Sequence, residues 1–249
     1  MKPGLVSISF RKLSWQDTLS LAKTAGLEVI EWGGDVHVPH GDVALAREVG
    51  EATRAAGLEV AAYGSYYRLG EPAPDFSDVL ASAKALGAPI IRIWAGHRGS
   101  ADCDEAEWQR LIADALRVTA MAKSEDIDIV FEYHGRTLTD TADTCARLLE
   151  AVPAANSYWQ PPVSMSSDDC MSGLIRLGSR VAGVHVFSWE GIDRLPLIAR
   201  ENDWPGFLAQ AKAQGASWAL MEFVKDDEPQ QLIEDAAVLK GWLAAIEEA

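Results

Sequence analysis

The chain has 249 residues, 48% of them hydrophobic, enough for one large core, and 37 acidic residues against 22 basic ones give it a net charge of −15. That charge repels phosphate backbones and excludes nucleic acid as an expected partner, while suiting a soluble protein that takes a small neutral or cation-assisted substrate. No run reaches the length of a membrane span, the opening ten residues are too short and polar for a signal peptide, and Cys103, Cys145 and Cys170 lie far apart, as expected for reduced thiols of a cytoplasmic protein.

Leu5 to Phe10 alternates and predicts a first strand. Ser14 is the expected N-cap of a helix that runs to Ala25, with Asp17 three residues on and Gly26 as its stop. A second strand is expected over Leu27 to Gly33. A polar loop with His37 and His40 follows, where exposure is the default, and then a helix from Val43 to Ala56. Leu58 to Tyr66 predicts a third strand and Phe76 to Leu86 a helix stopped by Gly87. Pro89 to Gly96 predicts a fourth strand and Glu105 to Ser124 a long helix. The fifth strand, Ile129 to Gly135, ends on a glutamate, a histidine and a glycine.

The pattern continues with a helix over Ala142 to Ala151, a short strand over Ser157 to Gln160, and a helix within Asp168 to Leu177. Val181 to Trp189 is the seventh strand, and a helix is centred on Phe207 to Gln214. Trp218 to Val224 is the eighth strand, and a last helix begins at Pro229 and runs to about Ile246. Eight strands alternate with eight helices, without a linker or a low-complexity tract. The expected fold is therefore α/β, a single (β/α)8 TIM barrel that forms one domain over 1–249. A doubly wound sheet would carry a glycine-rich phosphate loop after an early strand, and none is present.

A buried strand should be apolar on both faces. Four consecutive strands here end instead on Glu132, Gln160, His185 and Glu222. In a barrel such ends point into one mouth, and neighbouring strands lie about 4.8 Å apart, so one cation can bridge them. One imidazole nitrogen and three oxygens suit Mn²⁺, with Mg²⁺ or Co²⁺ as alternatives. Alternation turns His185, Glu222, Arg92 and Trp94 inward, and Val184, Val186, Met221, Phe223, Ile91 and Ile93 toward the helices. The competing reading is a structural ion-pair network, for example Glu132 with Arg92.

The stretches Ile30–Asp35, Phe131–Gly135, Tyr158–Pro161, Val184–Trp189 and Glu222–Asp227 resemble the sugar phosphate isomerase/epimerase superfamily, the xylose-isomerase-like barrels. The resemblance implies a metal held by Glu132, Gln160, His185 and Glu222. It also implies an enediolate reaction on a sugar or polyol, with Glu132 and Glu222 as the acid/base pair. Gln160 departs from the pattern, which places Asp at that position, so one negative charge is lost. Glu31, Arg92, Trp94, His134 and Trp189 are the candidate substrate contacts. A metal-dependent lyase or dehydratase and a non-catalytic accessory subunit are the alternatives. The resemblance leaves room for a homo-oligomer.

Overall fold

Eight parallel strands close into a barrel: β1 (Lys2–Val6), β2 (Val29–Gly33), β3 (Glu59–Arg68), β4 (Ile90–Trp94), β5 (Asp128–Glu132), β6 (Asn156–Trp159), β7 (Val181–Val186) and β8 (Trp218–Met221). Neighbours follow chain order, and β1 pairs with both β2 and β8. The computed structural model describes every residue except Ser164 and Ala249, so the last position of the expected domain lies outside the described residues. Eight helices surround the barrel: α1 (Trp15–Thr24), α2 (Val43–Ala55), α3 (Phe76–Leu86), α4 (Glu105–Lys123), α5 (Ala142–Ala151), α6 (Ser167–Leu177), α7 (Trp204–Ala213) and α8 (Pro229–Glu248).

Local chemistry sets the helix ends. Ser14, Asp42, Asp75, Asp104 and Ser166 each cap a helix by accepting a backbone N–H in its first turn. Gly26, Gly57, Gly87 and Gly215 take left-handed conformations just beyond α1, α2, α3 and α7, and Gly26 and Gly87 are the stops expected above. Among the described residues no helix is long and apolar enough to cross a membrane. The three cysteines are free thiols.

Two apolar shells follow from the alternation. Ile91, Ile93, Phe131, Trp159, Val184, Val186 and Met221 point outward into the core shared with the helices. Val6, Val29, Ile90, Val130 and Leu220 fill the lumen. Fully burying each large side chain of this kind contributes about 1.5–3 kcal/mol.

Several strands are shorter than their alternation predicts. β1 stops at Val6, and Ser7–Phe10 forms a 3-10 turn. The alternation of Leu5, Ser7 and Ser9 does not mark a strand there, because the two hydroxyls bind loops. Ser7 Oγ accepts from the Gly33 N–H at 2.9 Å, and Ser9 Oγ accepts from the Phe223 N–H at 2.8 Å. β5, β7 and β8 likewise end before the loop residues of the mouth, at Glu132, Val186 and Met221. β3 instead runs on to Arg68, through a register shift against β4.

Candidate metal centre

The upper lumen collects the polar strand ends. Glu132 closes β5, His185 lies within β7 and Glu222 follows β8. All three are buried, and one ligand atom from each lies within 4.8 Å of the others. On β6, Trp159 points outward to Phe207, with ring centroids 5.2 Å apart. Tyr158 points inward onto His185, with centroids 5.3 Å apart. Gln160 comes next, and its buried Oε1 has no hydrogen-bond partner. Both ring nitrogens of His185 are also without one, although Nδ1 lies 3.4 Å from Glu222 Oε2.

Glu132 also joins this cluster to an ionic layer. The Nε of Arg92 donates to Glu31 Oε1 at 2.7 Å, and its Nη1 binds Glu132. The layer fits because β3 carries Gly64 beside it. A Cβ there would lie 2.6 Å from Glu31 Oε1 and 2.7 Å from Arg92 Nη2. Glu31, a candidate substrate contact from sequence, is fully buried and does not line the cavity described below. On β2 it holds Arg92 and lies 3.8 Å from His185 Nε2.

Burial pushes the Glu31 carboxyl up, and Arg92 followed by His185 reverses that, leaving it below the usual carboxylate range. Burial alone would lower the His185 imidazole, but Glu222 and then Glu31 raise it to about 10. Burial raises the Glu222 carboxyl, and His185 more than offsets it. In this state a protonated imidazole supplies the positive charge that the carboxylates require.

The donor set therefore fits a divalent ion. Two carboxylates and an imidazole converge, and the amide oxygen of Gln160 lacks any protein partner. Nitrogen and oxygen donors in this ratio suit Mn²⁺, Mg²⁺ or Co²⁺.

Above the cluster opens a cavity of about 370 Å³. Arg92, Glu132, Gln160 and Glu222 form its floor, and Trp94, His134, Phe187 and Trp189 form its walls. The sequence-predicted residues Arg92, Trp94, His134 and Trp189 thus border one space. His134 stacks on Trp94 with centroids 4.5 Å apart, and its Nδ1 lies 2.6 Å from Gly135 O. The indole nitrogens of Trp94 and Trp189 are buried without partners.

Arg11, Tyr66 and Phe223 complete the wall. Sequence reasoning missed them as site residues. Tyr66 and Phe223 adopt left-handed backbone angles, with φ of 56° and 59°, which turn their rings into the mouth. Phe223 therefore packs on the mouth side, against Trp189 at 5.8 Å, and not toward the helices as alternation predicts. Arg11 donates to the Tyr66 hydroxyl at 2.6 Å and pairs with Asp35. The only sequence signal for these residues was their position directly beside strand ends. His37, expected in an exposed loop, is buried. Its Nδ1 lies 2.9 Å from Ser7 Oγ and its Nε2 lies 3.2 Å from Leu13 O, so it ties two loops together.

Comparison with known proteins agrees with this architecture. The family model described as xylose isomerase-like TIM barrel matches residues 19–242. A probable 3-DHS dehydratase involved in petrobactin synthesis from Bacillus anthracis superposes with a TM-score of 0.81, covering 96% of this chain and 99% of its own at 20% identity. D-psicose 3-epimerase from Clostridium cellulolyticum H10 superposes with a TM-score of 0.72, covering 99% of each chain at 15% identity. A xylose isomerase-like TIM barrel protein from Mycobacterium smegmatis, in complex with magnesium, gives 0.72 over 95% of this chain and 91% of its own at 14% identity. No curated protein sequence shows significant similarity to this chain.

Proposed function

Because the chain belongs to the xylose isomerase-like TIM barrel family, we propose that it is a divalent-metal-dependent isomerase or epimerase of a small keto sugar or polyol. The observation that carries this reading is the convergence of Glu132, His185 and Glu222 under an open cavity, with the unpartnered Gln160 oxygen beside them. These four side chains would hold the ion, with Mn²⁺ preferred and Mg²⁺ or Co²⁺ as alternatives. When bound, it supplies a Lewis acid that polarises adjacent hydroxyl and carbonyl oxygens.

Glu132 and Glu222 do the proton work. One carboxylate removes the carbon-bound proton next to the carbonyl, leaving the electron pair in an enediolate, and the other carboxylic acid returns a proton to carbon. Arg92 engages Oε2 of Glu132, and His185 lies nearest Oε2 of Glu222, so both carboxylates are fixed in direction. Trp94, Phe187 and Trp189 offer apolar faces to the C–H side of a sugar. The unpartnered indole N–H groups of Trp94 and Trp189 and the free Arg92 Nη2 are donors suited to its hydroxyls.

Two measurements test this. First, a thermal midpoint with EDTA and then with Mn²⁺ should rise by about 5–10 °C, since an ion at about 100 times its dissociation constant adds about 2.7 kcal/mol. The rise should vanish in Glu222→Gln. Second, keto sugars incubated with the loaded protein in D₂O should take deuterium at the carbon next to the carbonyl. Absence of both effects would leave the chain a non-catalytic member of the family. Recovery of a dehydrated product in place of an epimer would make it a lyase, since the same enediolate can expel a β-hydroxyl.

A further inference from the structure

Beside the central cavity lies a second groove, of about 670 Å³, running between the loops after β5, β6 and β7. The two spaces are continuous, since His134, Gln160, Val163 and Phe187 border both. The groove is apolar along Pro161, Pro162, Val163, Met165, Phe187 and Ile192. Among the described residues only six large hydrophobic side chains are exposed, and three of them, Val163, Met165 and Ile192, line this one groove. Ile192 is 90% exposed at the tip of the hairpin formed by Trp189–Glu190 and Asp193–Arg194. Apolar side chains gathered next to a polar cavity mark a binding surface.

The chemistry of the lining narrows the occupant. Among the described residues no lysine or arginine borders the groove, so a phosphate or carboxylate extension would find no cation there. Its single carboxylate, Asp140, already accepts from the Ser100 N–H at 3.0 Å and from Thr144 Oγ1 at 3.4 Å. A third cavity adjoins the central one through Ile8, Arg11 and Phe223 and is charged; there Arg11 is committed to Asp35 and Arg194 to Asp227, and Asp226 and Glu228 stand with Lys12 in its lining. A free sugar fits within the central cavity and would leave the apolar groove in contact with water.

We infer that the substrate is a polyol or keto sugar carrying an uncharged alkyl or aryl substituent, and that this substituent lies in the groove between Pro161 and Ile192. Continuity favours one occupant: a substituent in the groove would rest against His134, Gln160, Val163 and Phe187, which also border the cavity that holds the reacting part. The inference rests on the metal-dependent reading above and extends it to substrate class.

The probes are n-alkyl hydroxamates from acetyl to octanoyl, whose adjacent oxygens imitate an enediolate and chelate divalent ions. They are titrated by calorimetry into the Mn²⁺-loaded chain and into a Met165→Ser/Ile192→Ser double variant. Both substituted residues lie on the surface and outside the metal cavity. In the wild type, affinity should climb by up to about fourfold per methylene. In the double variant the climb should flatten while acetohydroxamate binds unchanged. A flat series in the wild type, with normal acetohydroxamate binding, would overturn the groove assignment and leave the metal reading standing. Failure of acetohydroxamate itself to bind in the presence of Mn²⁺ would remove the metal reading and the inference with it. A wild-type dimer that becomes monomeric in the double variant, with a flat series, would identify a second copy as the occupant and overturn the inference.

Discussion

The lumen of this barrel holds two layers that differ by only two residues along each strand. Val29, Ile90, Val130 and Leu220 form the lower one, and Glu31, Arg92, Glu132 and Glu222 stand two positions further on. On β7 the same step leads from Gly183 to His185. The backbone is the same and the burial is the same, yet one layer is apolar and the other ionic. Buried ion pairs are often no more stabilising than apolar residues of similar volume. The lower layer shows that this barrel can be filled without charge. The upper layer therefore calls for a role beyond filling space, and the proposed function supplies one.

The largest expected effect separates the layers by function. Glu222→Gln should lower exchange of the substrate proton by about 10²–10⁴-fold, the range for loss of a positioned acid/base, and remove the Mn²⁺ thermal shift. Deuterium incorporation followed by NMR reads the first, and differential scanning fluorimetry reads the second. Normal exchange would return Glu222 to the class of structural ion pairs.

Stability gives the next contrast. Arg92→Met leaves Glu31 and Glu132 without their cation and should cost about 3–5 kcal/mol in a urea titration. Replacing the group together, as Glu31→Leu/Arg92→Met/Glu132→Leu, should restore stability or raise it by about 1–4 kcal/mol while abolishing Mn²⁺ binding. A triple variant less stable than Arg92→Met would mean that the ionic layer supports the fold in its own right.

A smaller change acts within the site. Gln160→Asp adds one charge beside Glu132 and Glu222 and should tighten Mn²⁺ by about tenfold, read by calorimetry. Unchanged affinity would place residue 160 outside the coordination sphere.

The smallest effect lies outside the lumen, in α8. Asp235 is buried without a cation, accepting from the Leu197 N–H and from Gln231 Nε2, both at 2.9 Å. Burial pushes its carboxyl up, against those two donors, whereas Glu31 beside Arg92 is held down. A raised carboxyl contributes stability below its unfolded value, near 3.9, and that contribution is lost as pH rises through the folded value. Asp235→Asn should therefore match the wild type in acid and exceed it at neutral pH. Equal stability at both pH values would show that Asp235 ionises without cost.

Period-2 alternation made both layers legible, because Glu132, His185 and Glu222 interrupt apolar strands on one parity. It also indicated the inward turn of Arg92 and Trp94. It failed where a strand had ended or was broken by a register shift. Phe223 and Tyr66 reach the mouth through left-handed backbone angles, and no side-chain pattern encodes those. Arg11 enters from the turn after β1, which alternation mistook for more strand. Glu31 was visible as an inward glutamate, but its depth depends on the register between β2 and its neighbours, which spacing alone does not fix.

The raised imidazole of His185 has a consequence for the life of the molecule before it meets an ion. A proton on that ring, flanked by Glu222 and Glu31, keeps the site close to electroneutral. On the proposed function, an ion bound here would take the place of that proton. Each ion taken up should expel about one proton, visible as a buffer-dependent heat when Mn²⁺ is titrated in buffers of different ionisation enthalpy.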